Sequence, residues 1–207
     1  MLPRPPGCRG RRSATLAGMV LAVLLAAGGG SRFAGDTHKL LAPLDGRPVL
    51  AHAVDALVAS GLEAVVVTGA VDVAHLVPEG IATVHNPGWA AGQATSVRVG
   101  VDEALRRGHD AIVVGLGDQP FVAGAAWRAV ADADAALAVA TYDGRRGHPV
   151  RLGEDVWELL PQDGDEVGRA VMRGRPELVM EIPCDAGHTR AERTADIDTL
   201  EDLRRWS

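Results

Sequence analysis

The stretch GGGSRFAGDTHK, from Gly28 to Lys39, sets three adjacent glycines beside two cations. Glycines carry no side chain, so their amides can approach an anion closely and form a concave nest for phosphate. Arg32 can fork onto phosphate oxygens, and Lys39 can act as a point charge beside them. Two other phosphate loops are excluded. A Walker loop needs Gly-Lys-Ser/Thr, and here Asp36 follows Gly35. A dinucleotide loop needs glycine where Phe33 stands.

Carboxylates stand at two further points. GLGDQP ends an apolar run and carries Asp118. A carboxylate there, beside a phosphate loop, suits a divalent cation. The same residue could simply open a turn before Pro120. Near the end, TADIDTLEDL holds Asp196 and Asp198 two residues apart. In extended backbone both point to one side and can share a metal. Alternatively Asp198 caps the final helix while Asp196 takes the metal, or the reverse. NPGWAAGQATSVRVG adds Gly88 and Gly92 in a loop, then Ser96 and Arg98 on the entry turn of a helix, where an anion or a base edge can dock. His148 lies in a glycine-flanked turn, GHPV.

Such residues need a scaffold that gathers loops at one edge. Val20 to Leu25 is a short apolar run, as for a strand buried on both faces. Pro48 opens a helix with apolar residues at helical spacing, which Gly61 ends. EAVVVTG, IATVHN and Asp110 to Pro120 read as strands, and Gln93 to Arg107 as a helix closed by Gly108. A helix around Trp127 follows. The strands ALAVATY and GHPVRL are separated by a turn at DGRRG, and helices around Trp157 and Met172 come next. LVMEIPC is a last strand, and DTLEDLRRW closes the chain as a helix. This alternation predicts an α/β fold, a mainly parallel sheet with helices on both faces, made mixed by an antiparallel ALAVATY/GHPVRL pair. In such sheets ligands bind at the carboxyl ends of strands, where the glycine loop and Asp118 both fall.

The 207 residues, 47% hydrophobic, suffice for one sizeable core. Net charge is −6; the first 18 residues hold four arginines and no acid, so the rest carries about −10. That excludes general nucleic-acid binding, which relies on a basic face. Cys8 and Cys184 make no disulfide framework and no metal cluster, and fit a reducing compartment. The arginine-rich start and the run from Leu16 to Ala27 resemble a secretory or twin-arginine signal. The run is too short and glycine-interrupted for a membrane span. Cleavage would remove the first strand and the glycines. The expectation is therefore an extension over residues 1–18, with Met19 as a candidate start, a domain over 19–207, and a cytoplasmic location.

Taken in order, these motifs resemble the nucleotidyltransferases that act on molybdenum cofactor. LAAGGGSRFAGDTHKLLAPLDGRPVL is similar to that family's signature loop. The Asn86-to-Ser96 segment, Gly-Asp-Gln-Pro, Gly-His-Pro-Val and Asp-Ile-Asp-Thr also recur there. The resemblance runs from Met19 to Ser207. Leu-Ala-Ala-Gly and Gly-His-Pro look more like the cytidylyl branch than the guanylyl branch. The resemblance implies a three-layer α/β/α sandwich related to GT-A glycosyltransferases. It also implies attack by a substrate phosphate on the α-phosphorus of an NTP, CTP favoured, with Mg²⁺ and release of pyrophosphate. By position, Ala26, Ala27, Gly28, Gly29, Gly30, Ser31 and Arg32 would wrap the triphosphate, with Lys39 on its oxygens. Gly92 and Ser96 would lie by the base or the acceptor. Asp118, with Asp196 or Asp198, would hold Mg²⁺, and His148 and Asp165 would sit on the acceptor side. The implied acceptor is molybdopterin cofactor, with a molybdoenzyme receiving the product. GDEVGR departs from the family's Gly-Asp-x-Gly-Ala-Arg, and Thr199-Leu200-Glu201-Asp202 from its Thr-Pro-Glu-Asp. Two alternatives stay open. One is a transferase for another small phosphate, such as a sugar phosphate, methylerythritol phosphate or phospholactate. The other is a non-catalytic nucleotide-binding delivery protein of the same fold.

Overall fold

A computed structural model describes residues 19–185 and 196–207. The extension expected over residues 1–18 lies outside the described residues, as does Cys8. The fold starts from β1 (Val20–Ala26), whose side chains alternate between two faces. Leu21, Val23 and Leu25 point into one apolar cluster, and Ala22, Leu24 and Ala26 into another. A strand buried on both sides needs helices on both sides, and these follow.

The first cluster is closed by α2 (Gln93–Arg107), α4 (Glu154–Trp157) and α5 (Val167–Gly174), through Val97, Val101, Trp157 and Val171. The second is closed by α1 (Val49–Ala59) and α3 (Gly124–Ala131), through Leu50, Val54, Leu57 and Trp127. Each buried Leu or Val contributes about 1.5–3 kcal/mol relative to exposure. The result is the three-layer α/β/α sandwich.

Beside β1 lie β4 (Ala64–Thr68), β5 (Ala82–His85), β6 (Ala111–Leu116), β7 (Leu137–Tyr142), β8 (Arg145–Gly153) and β9 (Val179–Pro183). Among the described residues these seven form one sheet, in the order β5-β4-β1-β6-β8-β7-β9. Only β8 runs against the others, pairing antiparallel with β6 and β7. The mixed, mostly parallel sheet is therefore as expected. The turn before β8 is shorter than the DGRRG reading. Asp143 and Gly144 alone make it, at φ 48° and 72°, and Arg145 to Gly147 already belong to the strand. The helix around Trp157 is a single turn. A small hairpin, β2 (Pro43–Leu44) with β3 (Arg47–Pro48), precedes α1.

A third, smaller cluster ties the chain's end to the mouth of the sheet. Phe33, Leu44, Val49 and the fully buried Ile197 form it, with Leu203 and Trp206 of α6 (Leu200–Trp206) packed against it. The cap of α6 is Thr199, not Asp198. Thr199 and Asp202 form a reciprocal capping box. Asp198 is free for other partners because Thr199 serves the helix. Among the described residues no helix is long and apolar enough to cross a membrane.

Candidate active site

Because β1, β4 and β6 are parallel, the segments that follow them emerge at one edge of the sheet. There a cleft of about 900 Å³ opens. It collects most of the residues singled out from the sequence, Ala26 to Arg32, Lys39, Gly92, Ser96, Asp118, His148, Asp165, Asp196 and Asp198, but not Gly88 or Arg98. Its volume is of the size that holds a nucleotide-scale ligand.

One wall is the glycine loop. A Cβ built on Gly28 would meet nothing within 4 Å. No packing inside the protein therefore requires glycine at that position, and the bare backbone leaves room for close approach by an anion. His38, which sequence reasoning passed over, braces the loop. Its Nε2–H donates to the Gly28 carbonyl at 3.0 Å, and its Nδ1 accepts from the Leu40 amide at 3.3 Å. The accepting role of Nδ1 needs neutral imidazole, and burial lowers the His38 pKa accordingly. The short helical turn Lys39–Leu41 then points Lys39 back into the cleft.

Lys39 does not stand alone. Its ammonium donates to Asp118 Oδ2 at 2.5 Å and to Asp198 Oδ1 at 2.8 Å. Its side chain is only 12% exposed. Burial works against this charge, but Asp118 and Asp198 outweigh it and raise the Lys39 pKa. Arg32 meets the other oxygen of Asp198 at 3.0 Å from a side chain 75% exposed. The carboxylates expected to share a metal are thus bridged by a lysine. Among the described residues, no three His, Cys, Asp or Glu side chains converge as a ready metal cage.

Two features nevertheless fit a divalent cation. Asp118 Oδ1 is buried with no hydrogen-bond partner, which is costly unless something else satisfies it. Asp196 takes a 2.6 Å hydrogen bond from Gln119 on Oδ1. Burial raises its pKa; Gln119 opposes this, and the negative charges of Asp118 and Asp198 reinforce it. Crowded carboxylates with an open oxygen suit an ion such as Mg²⁺, which keeps several waters and takes one or two protein carboxylates.

The second wall is the NPGWAAGQ loop. Buried Asn86 organises it: Nδ2 donates to Thr95 Oγ1 at 2.8 Å and to Ser96 Oγ at 2.9 Å, and Oδ1 accepts from the Gly88 amide at 2.9 Å. Trp89 lies over Gly29, its ring 2.8 Å from where a Cβ would stand. Gly92 has φ 112°, and a Cβ there would come within 2.7 Å of the Gly164 backbone. Gly164 accepts from the Ala94 amide at 2.9 Å and donates to Ala91 at 3.0 Å. Asp165 accepts from the Gln93 amide at 3.0 Å, so it caps α2. The anion at this helix start is the protein's own. Arg98 is outside the lining and reaches instead to the Leu160 carbonyl.

The third wall is β8 and α5. His148 sits within β8 rather than in a turn, and burial drives its imidazole down to about 4, so it is neutral near pH 7. Arg146, Arg169 and Arg173 also line this wall. Arg146 pairs with Glu181 and Arg173 with Glu166, on exposed side chains. No motif in the sequence marks Arg146 or Arg173, because nothing local shows that β8 and α5 face the glycine loop.

The profile of the MobA-like NTP transferase domain matches residues 22–179. A bifunctional protein GlmU from Sphingopyxis alaskensis is 35% identical over 161 residues, 73% of this chain and 34% of its own length. The chain thus spans about a third of that curated relative. Rv0371c from Mycobacterium tuberculosis H37Rv superposes with a TM-score of 0.72 at 30% identity, covering 92% of this chain and 98% of that one. A structure of Rv0371c in complex with manganese gives a TM-score of 0.73 at 28% identity, covering 91% and 97%. A nucleotidyl transferase from Methanothermobacter gives 0.71 at 26% identity, covering 90% and 95%. With its glycine loop, lysine and strand-end aspartate on that shared sheet, the chain belongs to the MobA-like NTP transferase family.

Proposed function

We propose that this nucleotidyltransferase moves CMP from CTP to a phosphate on a small acceptor, molybdopterin cofactor, and releases pyrophosphate in the cytoplasm. The observation that carries this is the meeting of an open glycine loop, Lys39 and the unpartnered Asp118 Oδ1 at one cleft mouth. Amides of Gly28 to Ser31 would cradle the β- and γ-phosphates, with Arg32 and Lys39 on their oxygens. Asp118, with Asp196 or Asp198, would hold Mg²⁺, which supplies charge neutralisation of the triphosphate when bound. The acceptor phosphate, already anionic, needs no general base; its oxygen bonds to the α-phosphorus as the bond to the bridging oxygen of pyrophosphate breaks. Catalysis of this kind rests on positioning and electrostatics. Arg146, Arg169 and Arg173 would steady the acceptor, and neutral His148 would offer it a hydrogen bond. The choice of CTP rests on the cytidylyl-like Leu25-Ala26-Ala27-Gly28 and Gly147-His148-Pro149. A molybdoenzyme would then receive the product.

The test is pyrophosphate release with Mg²⁺, across CTP, GTP, ATP and UTP, with molybdopterin and other phosphate monoesters as acceptors. Release from CTP with molybdopterin supports the proposal. Release with another acceptor redirects it to that phosphate. CTP binding without release for any acceptor points to a delivery protein instead.

A further inference from the structure

The cations that a triphosphate requires and the carboxylates that a metal requires neutralise one another in this cleft. Lys39 reaches Asp118 and Asp198 at 2.5 and 2.8 Å, from residues 79 and 159 positions away in the chain. Resting on the metal–triphosphate reading of the cleft, we propose that Lys39 is a stand-in cation. Its ammonium holds Asp118 and Asp198 where a divalent ion would bind, and it yields that place as it moves onto phosphate.

The geometry favours a stand-in over a permanent counter-ion. A permanent partner would satisfy the carboxylates fully, yet Asp118 Oδ1 is left buried and unpartnered while Oδ2 holds the lysine. Lys39 itself lies on the wall formed by the glycine loop, beside Gly30, with its Cγ 3.3 Å from a Cβ position there. Only the long flexible stem need turn for the ammonium to leave the carboxylates and meet a phosphate. Arg32, on the same loop, would make the same exchange from Asp198.

The electrostatics has a definite sign. A cation within about 4–6 Å of a carboxylate weakens that carboxylate's hold on a proton by about one to three powers of ten. A divalent ion feels the same repulsion at least as strongly. Removing the Lys39 charge should therefore tighten metal binding, although it weakens the grip on triphosphate. A lysine with a purely structural role would do the reverse, since its loss would leave the carboxylates unordered.

The experiment is a Mn²⁺ titration without nucleotide, followed by electron paramagnetic resonance, on wild type, Lys39→Met and Arg32→Ala. Circular dichroism would confirm that each is folded. We expect Lys39→Met to bind Mn²⁺ at least about tenfold more tightly than wild type. Arg32→Ala, which removes a solvent-screened pair, should change the affinity by about threefold or less. An affinity in Lys39→Met that is unchanged, weaker or undetectable overturns the proposal. If Lys39→Met does not fold, Lys39→Gln, which can still hydrogen-bond both carboxylates without the charge, carries the same expectation. Mn²⁺ with CTP on the wild type separates the two readings. No uptake there overturns the metal–triphosphate reading itself, whereas uptake there with no tightening in the variants overturns the stand-in role alone.

Discussion

Two ionic clusters occupy opposite ends of the same sheet, and they are built differently. At the end where β4 and β6 begin, Glu103 of α2 accepts from Arg106 at 2.6 and 2.9 Å and from Arg107 at 2.6 Å. Arg107 reaches on to Glu63 at 2.9 Å, and His109 meets the other Glu63 oxygen at 3.0 Å. Both oxygens of each glutamate are satisfied, and the hydrogen bonds from Arg106 and Arg107 outweigh burial and hold Glu103 down to about 2. The arginines also suit the negative end of the α2 dipole. At the other end, Lys39, Asp118, Asp196, Asp198 and Arg32 come from distant parts of the chain, leave Asp118 Oδ1 orphaned and crowd Asp196. A cluster that staples structure is locally complete, and a cluster that must exchange partners is not. The contrast has one exception, since His109 Nδ1 is also buried without a hydrogen-bond partner.

Charge removal should therefore act oppositely at the two ends. Asp118→Asn should lower pyrophosphate release by about 10³-fold or more. Its unfolding free energy should stay within about 1 kcal/mol of wild type in a urea melt. Near-normal turnover would break the comparison at the cleft. Glu103→Gln should leave turnover unchanged and lower stability by about 1.5–3 kcal/mol, the worth of hydrogen bonds to a charged group. That loss should depend on pH. Because the folded Glu103 pKa lies below the ordinary 4.5, its contribution is present above pH 4.5 and fades as pH falls toward about 2. Urea melts of wild type and Glu103→Gln should then converge at the acid end; a pH-independent gap would contradict the assignment. The smallest effect should come from Thr199→Ala, which removes the cap of α6 and costs about 1 kcal/mol in the same melts.

Local signals were the legible ones. The α2 helix reads correctly from Gln93 to Arg107 because Gly108 closes it at φ 81°, a conformation glycine takes freely. β1 reads correctly because burial on both faces leaves a continuous run of small apolar side chains. What escaped the sequence depends on which strands become neighbours. The Lys39–Asp198 pair spans 159 positions, and the Asp165 cap on Gln93 spans 72. No periodicity encodes either one. Sequence reading assigns the cap of the final helix to Asp198 or Asp196; in the fold Thr199 takes it, and Asp198 accepts from Lys39. His38 was hidden for a similar reason: a histidine in a polar loop carries no mark that its ring will brace Gly28.

The most direct test of the account is a crystal structure with CTP and Mn²⁺. The account predicts the triphosphate over Gly28 to Ser31, metal density at Asp118 Oδ1, and the Lys39 ammonium moved from Asp118 and Asp198 onto phosphate. Nucleotide bound elsewhere, or a triphosphate in the cleft with the Lys39–Asp118 pair intact, would contradict it.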